Sequence, residues 1–311
     1  MKEKVTARSE AELSREEKGI LLESGTNELE VIMFTVGSGT FGINVMKVRE
    51  ILQPVDVTLM PHMHPHVQGI IRLREEIIPV IDLAKAIGFS QPDQSSADKL
   101  IVAEMNQMKV ALHVHSVSRI HRISWEQIEK TGTLGQGLDD VTIGVIKMEA
   151  NMILMLDYEK IVYDILPENG MKSAAVDTSR AAKRKNKTIL LAEDSSILRE
   201  LLKNTLTEAG YEKLMFTQDG KEALETLDSN HDKGEIDAVI TDIEMPLMDG
   251  HHLTKLLKEE RGYRELPVLI FSSLITGDLY HKGQRVGADA QISKPEIANL
   301  VEELDRLLAV K

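Results

Sequence analysis

The sequence predicts two domains in series: an all-β unit built as a pair of small barrels, then an α/β unit whose five parallel strands carry helices on both faces. Three observations lead there. At 311 residues with 42% hydrophobic content, the chain exceeds one usual domain and has apolar residues enough for two cores. As far as residue 166, its apolar stretches are short strand-like pairs separated by turn signals such as VGSGT, EMNQM and KMEAN. From Thr188 onward, strand-like runs alternate with helical patterns, the mark of a parallel sheet.

Residues 1–27 begin MKEKVTARSEAELSREEKG and mix acids with bases around no apolar core. They are expected to form a flexible segment, neither signal peptide nor membrane anchor. The domain over 28–167 opens with strand-like ELEVIMFTVG (28–37). Val45, Val48, Ile51 and Leu52 then share one side of a short helix expected over 45–52. Further strand pairs are GIIRLREEIIPVIDL (69–83), KLIVAEMNQMKVALHVH (99–115) and TIGVIKMEANMILMLDYEKI (142–161), at a spacing that suits antiparallel barrels. His62, His64 and His66 lie on an extended, proline-broken segment with no carboxylate to complete a ligand set, and read as solvated loop residues. Trp125 in ISWEQIE reads as a packing residue beside a short helix, and Asp139-Asp140 as part of an exposed loop. Nothing in this half forms a catalytic set.

Residues 168–187 contain ENGMKSAAVDTSRAA and the basic cluster Lys183, Arg184, Lys185 and Lys187. Polar and aperiodic, they are expected to be a solvated linker. The second domain, 188–311, follows with strands expected at 188–192, 213–216, 238–241, 268–271 and 290–292. Between the first two, Ile197, Leu198, Leu201, Leu202 and Leu206 keep one helical face apolar, and Gly210 stands where a helix-ending glycine belongs. The domain has the size of a flavodoxin-like fold.

Composition narrows the function. No cysteine is present, which removes disulfides, thiolate zinc sites and a cysteine nucleophile. A formal charge of −13 opposes a nucleic-acid role, since binding a phosphate backbone needs a basic face. No apolar run approaches the roughly 20 residues of a membrane span, so a cytoplasmic location is expected.

The chemistry lies at the strand ends of the second domain. Strand one ends in Glu193-Asp194, strand three in Asp242, strand four in Ser272-Ser273 and strand five in Lys294-Pro295, and in a parallel sheet these converge on one edge. Three carboxylates so close need a cation, and an all-oxygen set favours magnesium or calcium over softer metals. A lysine and a hydroxyl opposite could hold a phosphoryl group that Asp242, as nucleophile, accepts.

This region resembles the response-regulator receiver domain. The resemblance rests on TDIEMPLMDG (241–250), the acidic pair 48 residues before Asp242, Ser272 30 residues after it and Lys294-Pro295 52 after it. It implies that Asp242 is the phosphoacceptor and that Glu193, Asp194 and Asp242, with the Glu244 backbone carbonyl, bind magnesium. It also implies that Ser272 bonds the phosphoryl group and Lys294 pairs with it. Gln291 stands where receivers have an aromatic residue, and Glu296 follows Lys-Pro where many have another.

The first domain resembles the CheW-like coupling domain over 28–166. Its opening is FTVGSGTFGINVMKVREIL, its hallmark segment VQGIIRLREEIIPVIDL and its closing hairpin IGVIKMEANMILMLDYEKI. Arg74, Pro79 and Asp82 match the hallmark, while Arg72 and Glu75 replace its asparagine and glycine. Arg74 and Glu50 are the expected partner-contact residues. A coupling domain followed by a receiver resembles the CheV-type arrangement. That implies a non-enzymatic adaptor, recruited to membrane-associated arrays, that joins the cytoplasmic tips of chemoreceptors (methyl-accepting chemotaxis proteins) to the histidine kinase CheA. Phosphorylation of Asp242 would then tune the coupling, or alternatively the receiver would serve only as a phosphate sink for the kinase.

Overall fold

The computed structural model describes residues 27–89, 97–130, 141–148, 151–167, 176–230, 235–273, 277–294 and 296–310. Asp139-Asp140 lie outside the described residues. The first domain runs β1 (Glu28–Val36), β2 (Gly39–Asn44), β3 (Val48–Leu52), β4 (Val67–Leu73), β5 (Glu76–Asp82), α1 (Leu83–Ala86), β6 (Lys99–Met105), β7 (Met108–Val114), β8 (Ser116–Ser124), β9 (Ile128–Glu129), β10 (Thr142–Met148), β11 (Asn151–Leu156) and α2 (Tyr158–Ile165). These strands make two sheets, β8-β1-β2-β11-β10-β9 and β3-β6-β7-β5-β4. Most pairings are antiparallel as expected, but β2 joins β11, and β5 joins β7, in parallel.

Alternation builds the cores. On β1, Leu29, Val31 and Met33 enter a cluster with Trp125, Ile146 and Ile153, while Ile32, Phe34 and Val36 enter a second one shared with the other sheet and α2. With side chains pointing alternately to opposite faces, a strand buried on both faces reads as a continuous apolar run, as VIMF does here. Trp125 is buried beside the short 3-10 turn Trp125–Gln127, in the packing role its sequence context suggests.

The helix expected over 45–52 is absent. Val45–Lys47 is one 3-10 turn and Val48–Leu52 is strand β3, with Ile51 opposite Ile101 of β6. The spacing of three between Val45, Val48 and Ile51 suits a helix, yet β-branched residues also suit a strand, and β6 offers them an unpaired edge.

The second domain runs α3 (Ala181–Arg184), β12 (Thr188–Ala192), α4 (Ser196–Ala209), β13 (Lys213–Thr217), α5 (Gly220–Asn230), β14 (Ala238–Thr241), α6 (Gly250–Lys255) with a π turn at Leu256–Glu260, β15 (Val268–Ser272), α7 (Gly277–Arg285), β16 (Ala290–Ser293) and α8 (Ile297–Leu307). Its sheet is parallel throughout, in the order β13-β12-β14-β15-β16. Every expected strand is present to within one residue at each end. Gly210 ends α4 in the left-handed conformation (φ 103°), a region open to glycine at little cost.

The linker expected to be solvated over 168–187 is not so at its end. Residues 168–175 lie outside the described residues, but Arg184 is buried, where its guanidinium donates through Nε and Nη2 to Asp305 on α8 at 2.8 and 2.7 Å. Tyr211 donates its hydroxyl to the same carboxylate at 2.8 Å. This fork geometry, which arginine and carboxylate satisfy reciprocally, pins the entry of the chain to the last helix.

Candidate functional site

Parallel strands with helices on both faces leave the carboxyl edge of the sheet as the place where side chains converge. Glu193 and Asp194 follow β12, Asp242 follows β14 and Lys294 follows β16. The ligand oxygens of Glu193, Asp194 and Asp242 all lie within 4.8 Å of one another. Lys294, with no solvent exposure, donates to Glu193 Oε2 and Asp242 Oδ2, each at 2.9 Å. The Ile243 N–H donates to Asp242 Oδ1 at 2.6 Å. Gly250 packs against this loop so closely that a Cβ there would overlap the Asp242 carbonyl oxygen, which is why a glycine closes the MPLMDG turn.

The electrostatics follow from crowding. Burial, joined by the charges of Asp242 and Glu159, pushes Glu193 up to about 8 against the pull of Lys294. Burial and the neighbouring carboxylates hold Asp194 well above its ordinary value. Burial disfavours the charge on Lys294, but Asp242, Glu159 and Glu193 outweigh it and hold the ammonium protonated. A buried all-oxygen set with its carboxylates under this mutual repulsion fits a hard divalent cation, whose charge would relieve it.

Ser272 is buried at the end of β15, where its carbonyl accepts the Lys294 N–H at 3.0 Å. Glu244 bonds its side chain to the first domain, accepting from Asn44 Nδ2 at 2.6 Å and pairing with Lys47 Nζ at 2.8 Å. Arg74 and Glu50 lie apart from this edge. They meet on the outer surface of the first domain, 3.5 Å apart, with Arg74 in a left-handed turn (φ 56°) between β4 and β5. His64 and His66 meet edge to face, with ring centroids 4.7 Å apart.

Sequence reasoning missed a second set of residues, because they come from the first domain. Glu159, in the first turn of α2, reaches the carboxylate edge of the sheet. Its Oε1 accepts the Ser273 hydroxyl at 2.7 Å and lies 3.5 Å from Lys47 Nζ, while its Oε2 lies 3.8 Å from Lys294 Nζ. Burial alone would neutralise Glu159, yet Lys294 and Lys47 bring it down to about 2. Burial likewise opposes the charge on Lys47, and Glu244 and Glu159 together raise it well above the usual lysine range. Backbone contacts complete the join: the Leu247 N–H donates to the Trp125 carbonyl at 3.1 Å, Asn27 Nδ2 to the Leu247 carbonyl at 2.8 Å, and the Asp249 N–H to Asn27 Oδ1 at 3.0 Å. Lys130 adds an ion pair with Asp219 at 2.5 Å. Leu247 holds a left-handed φ of 64°, costly for a branched side chain, and its backbone polar groups are satisfied by Trp125 and by Asn27, which the sequence placed in the flexible segment 1–27 but which these bonds fix to both domains.

Comparison with known proteins divides the chain at the same place. A CheW-like domain family matches residues 30–166, and the response regulator receiver domain family matches residues 189–305. The chain is 32% identical over 280 residues to chemotaxis protein CheV3 of Helicobacter pylori, covering 87% of this chain and 89% of that protein. To CheV1 of the same organism it is 24% identical over 290 residues, covering 86% and 89%. Over 150 residues it is 29% identical to chemotaxis protein CheW of Thermotoga maritima, covering 48% of this chain and 98% of that one.

Proposed function

Because the chain belongs to the CheV family of chemotaxis proteins, we propose that it is a phosphorylatable adaptor whose first domain couples chemoreceptor tips to the histidine kinase CheA. Phosphate received on Asp242 tunes that coupling. The observation that supports tuning is the seat of the coupling domain, which lies on the edge of the receiver that holds Asp242. A change of charge there is felt across the domain contact, and a ligand or modification shifts a two-state arrangement only through such a differential contact. A phosphate sink needs no contact of this kind.

In this reading Asp242 is the nucleophile. Lys294, already fixed 2.9 Å from Asp242 Oδ2, neutralises the incoming phosphoryl oxygens, and Ser272 supplies a hydroxyl from the adjacent strand end. Glu193, Asp194, Asp242 and the Glu244 backbone carbonyl would hold magnesium. The metal would offset the charge that the carboxylates and phosphoryl oxygens bring together. The only reactions in this reading are this transfer and the later hydrolysis of the acyl phosphate, in which water takes the phosphoryl group as inorganic phosphate and the Asp242 carboxylate is restored.

The proposed partner surface centres on Arg74 and Glu50, with Ile51 and Ile77 exposed nearby on the same sheet. Among the described residues no helix is long and apolar enough to cross a membrane, so recruitment to receptor arrays would run through this surface. Co-sedimentation of the intact protein with receptor-bearing membranes and the kinase, with and without acetyl phosphate, tests the reading against D242N. Binding that changes with acetyl phosphate in wild type alone supports a tuned adaptor. Unchanged binding in a phosphorylated protein favours the sink, and no binding in any state overturns the partners.

A further inference from the structure

We infer that Glu159 is an internal competitor for the phosphoryl group: delivered by the coupling domain, its carboxylate sits in the cationic cradle beside Asp242, so that domain docking and phosphorylation exclude each other. This deepens the proposed adaptor reading and rests on Asp242 being the acceptor.

Three features lead to it. First, one ammonium serves both carboxylates, since Lys294 Nζ is 2.9 Å from Asp242 Oδ2 and 3.8 Å from Glu159 Oε2. Second, on the receiver side Glu159 engages its other partner as an incoming anion would, accepting from the Ser273 hydroxyl. It is also buried, with one counter-ion, Lys47, from its own domain and another, Lys294, from the receiver. Third, the space left between the domains is small. The cavity lined by Asp194, Asp242, Glu244, Lys47 and Glu159 measures about 30 Å³, room for roughly one or two waters. A phosphoryl group brings a phosphorus and three oxygens, and its donor needs a path in line with Asp242.

The docked form therefore cannot be phosphorylated, whereas the undocked form can. With acetyl phosphate, an Asp242 carboxylate oxygen forms the new bond to phosphorus. The bond from phosphorus to the acyl oxygen breaks, acetate leaves with the electron pair, and no proton changes hands. The resulting dianion claims Lys294, and Glu159 meets a like charge where it had a counter-ion. The polar part of the contact runs through Asn27, Asn44, Lys47 and Lys130, and water can replace each of its hydrogen bonds. Undocking then changes what the coupling domain presents.

The test uses full-length wild type, E159Q and E159A with acetyl phosphate and magnesium. It reads the initial rate of Asp242 labelling and the hydrogen exchange of the Leu247 and Asp249 amides, both of which donate into the coupling domain. Both variants should label at least tenfold faster than wild type, and labelled wild type should lose protection at those two amides. Equal initial rates in all three proteins overturn the role of Glu159 and leave the adaptor reading standing, as does labelled wild type that keeps its protection. Failure of Asp242 to label in all three proteins overturns both.

Discussion

Replacing Lys47 with methionine keeps the aliphatic stem and removes the charge that ties the two domains together. Lys47 is 12% exposed and lies 2.8 Å from Glu244 across the domain boundary and 3.5 Å from Glu159 on its own side. Removing one partner of a buried ion pair costs about 3–5 kcal/mol, because the other charge stays buried without compensation. Here the low end applies. Glu244 keeps its bond from Asn44, and Glu159 keeps Ser273 and Lys294. A loss of about 3 kcal/mol shifts the docking equilibrium by roughly 150-fold, at 1.36 kcal/mol per factor of ten. Hydrogen exchange at Leu247 and Asp249 measures this directly. So does the fluorescence of Trp125, the chain's single tryptophan, whose carbonyl accepts the Leu247 N–H. A folded K47M protein whose two amides exchange within threefold of wild type would refute the reasoning.

Two further expectations concern the receiver itself. G250A should destabilise it by about 2–3 kcal/mol in urea unfolding, because the added methyl meets a backbone oxygen that cannot move aside. A loss under about 0.5 kcal/mol would show that the loop can yield. The second expectation concerns acid stability. His251 is buried, and burial with the nearby Lys282 lowers its pKa from 6.5 to about 3. Its folded value is depressed, so the unfolded chain takes up the proton first, and stability is lost as pH falls from about 6.5 toward 3. Asp249, raised by burial to about 6, acts in the opposite sense over the same range, gaining stability as it protonates. Comparing H251L with wild type isolates the histidine. The variant should lose about 3 kcal/mol less than wild type between pH 7 and pH 4, and parallel pH profiles would show that His251 does not titrate as burial dictates.

The three central strands, β12, β14 and β15, were legible because each is a short apolar run buried on both faces, while the part-exposed edge strands β13 and β16 were legible from their alternation with helical segments. The convergence of Glu193, Asp194, Asp242 and Lys294 followed, since parallel strands place their carboxyl ends on one edge whatever the details of packing. Local patterns were less decisive where two structures satisfy them. Residues 45–52 fit a helix by spacing, and an available partner strand decided otherwise. Residues 176–187 read as solvent-exposed because the partner of Arg184, Asp305, stands 121 positions further along the chain.

By itself, then, the sequence determined two domains, the carboxylate cluster and the lysine that faces it, all of which depend on periodicity within a segment and on the sheet's own geometry. Only the tertiary structure decided that Glu159, Lys47 and Asn27 belong to the same site. Nothing marks them in the chain: Glu159 is one acid among the 50 aspartates and glutamates, on a helix whose apolar residues serve the coupling domain's own core. Their role comes from docking one domain on another, and a contact between residues 114 to 222 positions apart leaves no periodic trace in either segment.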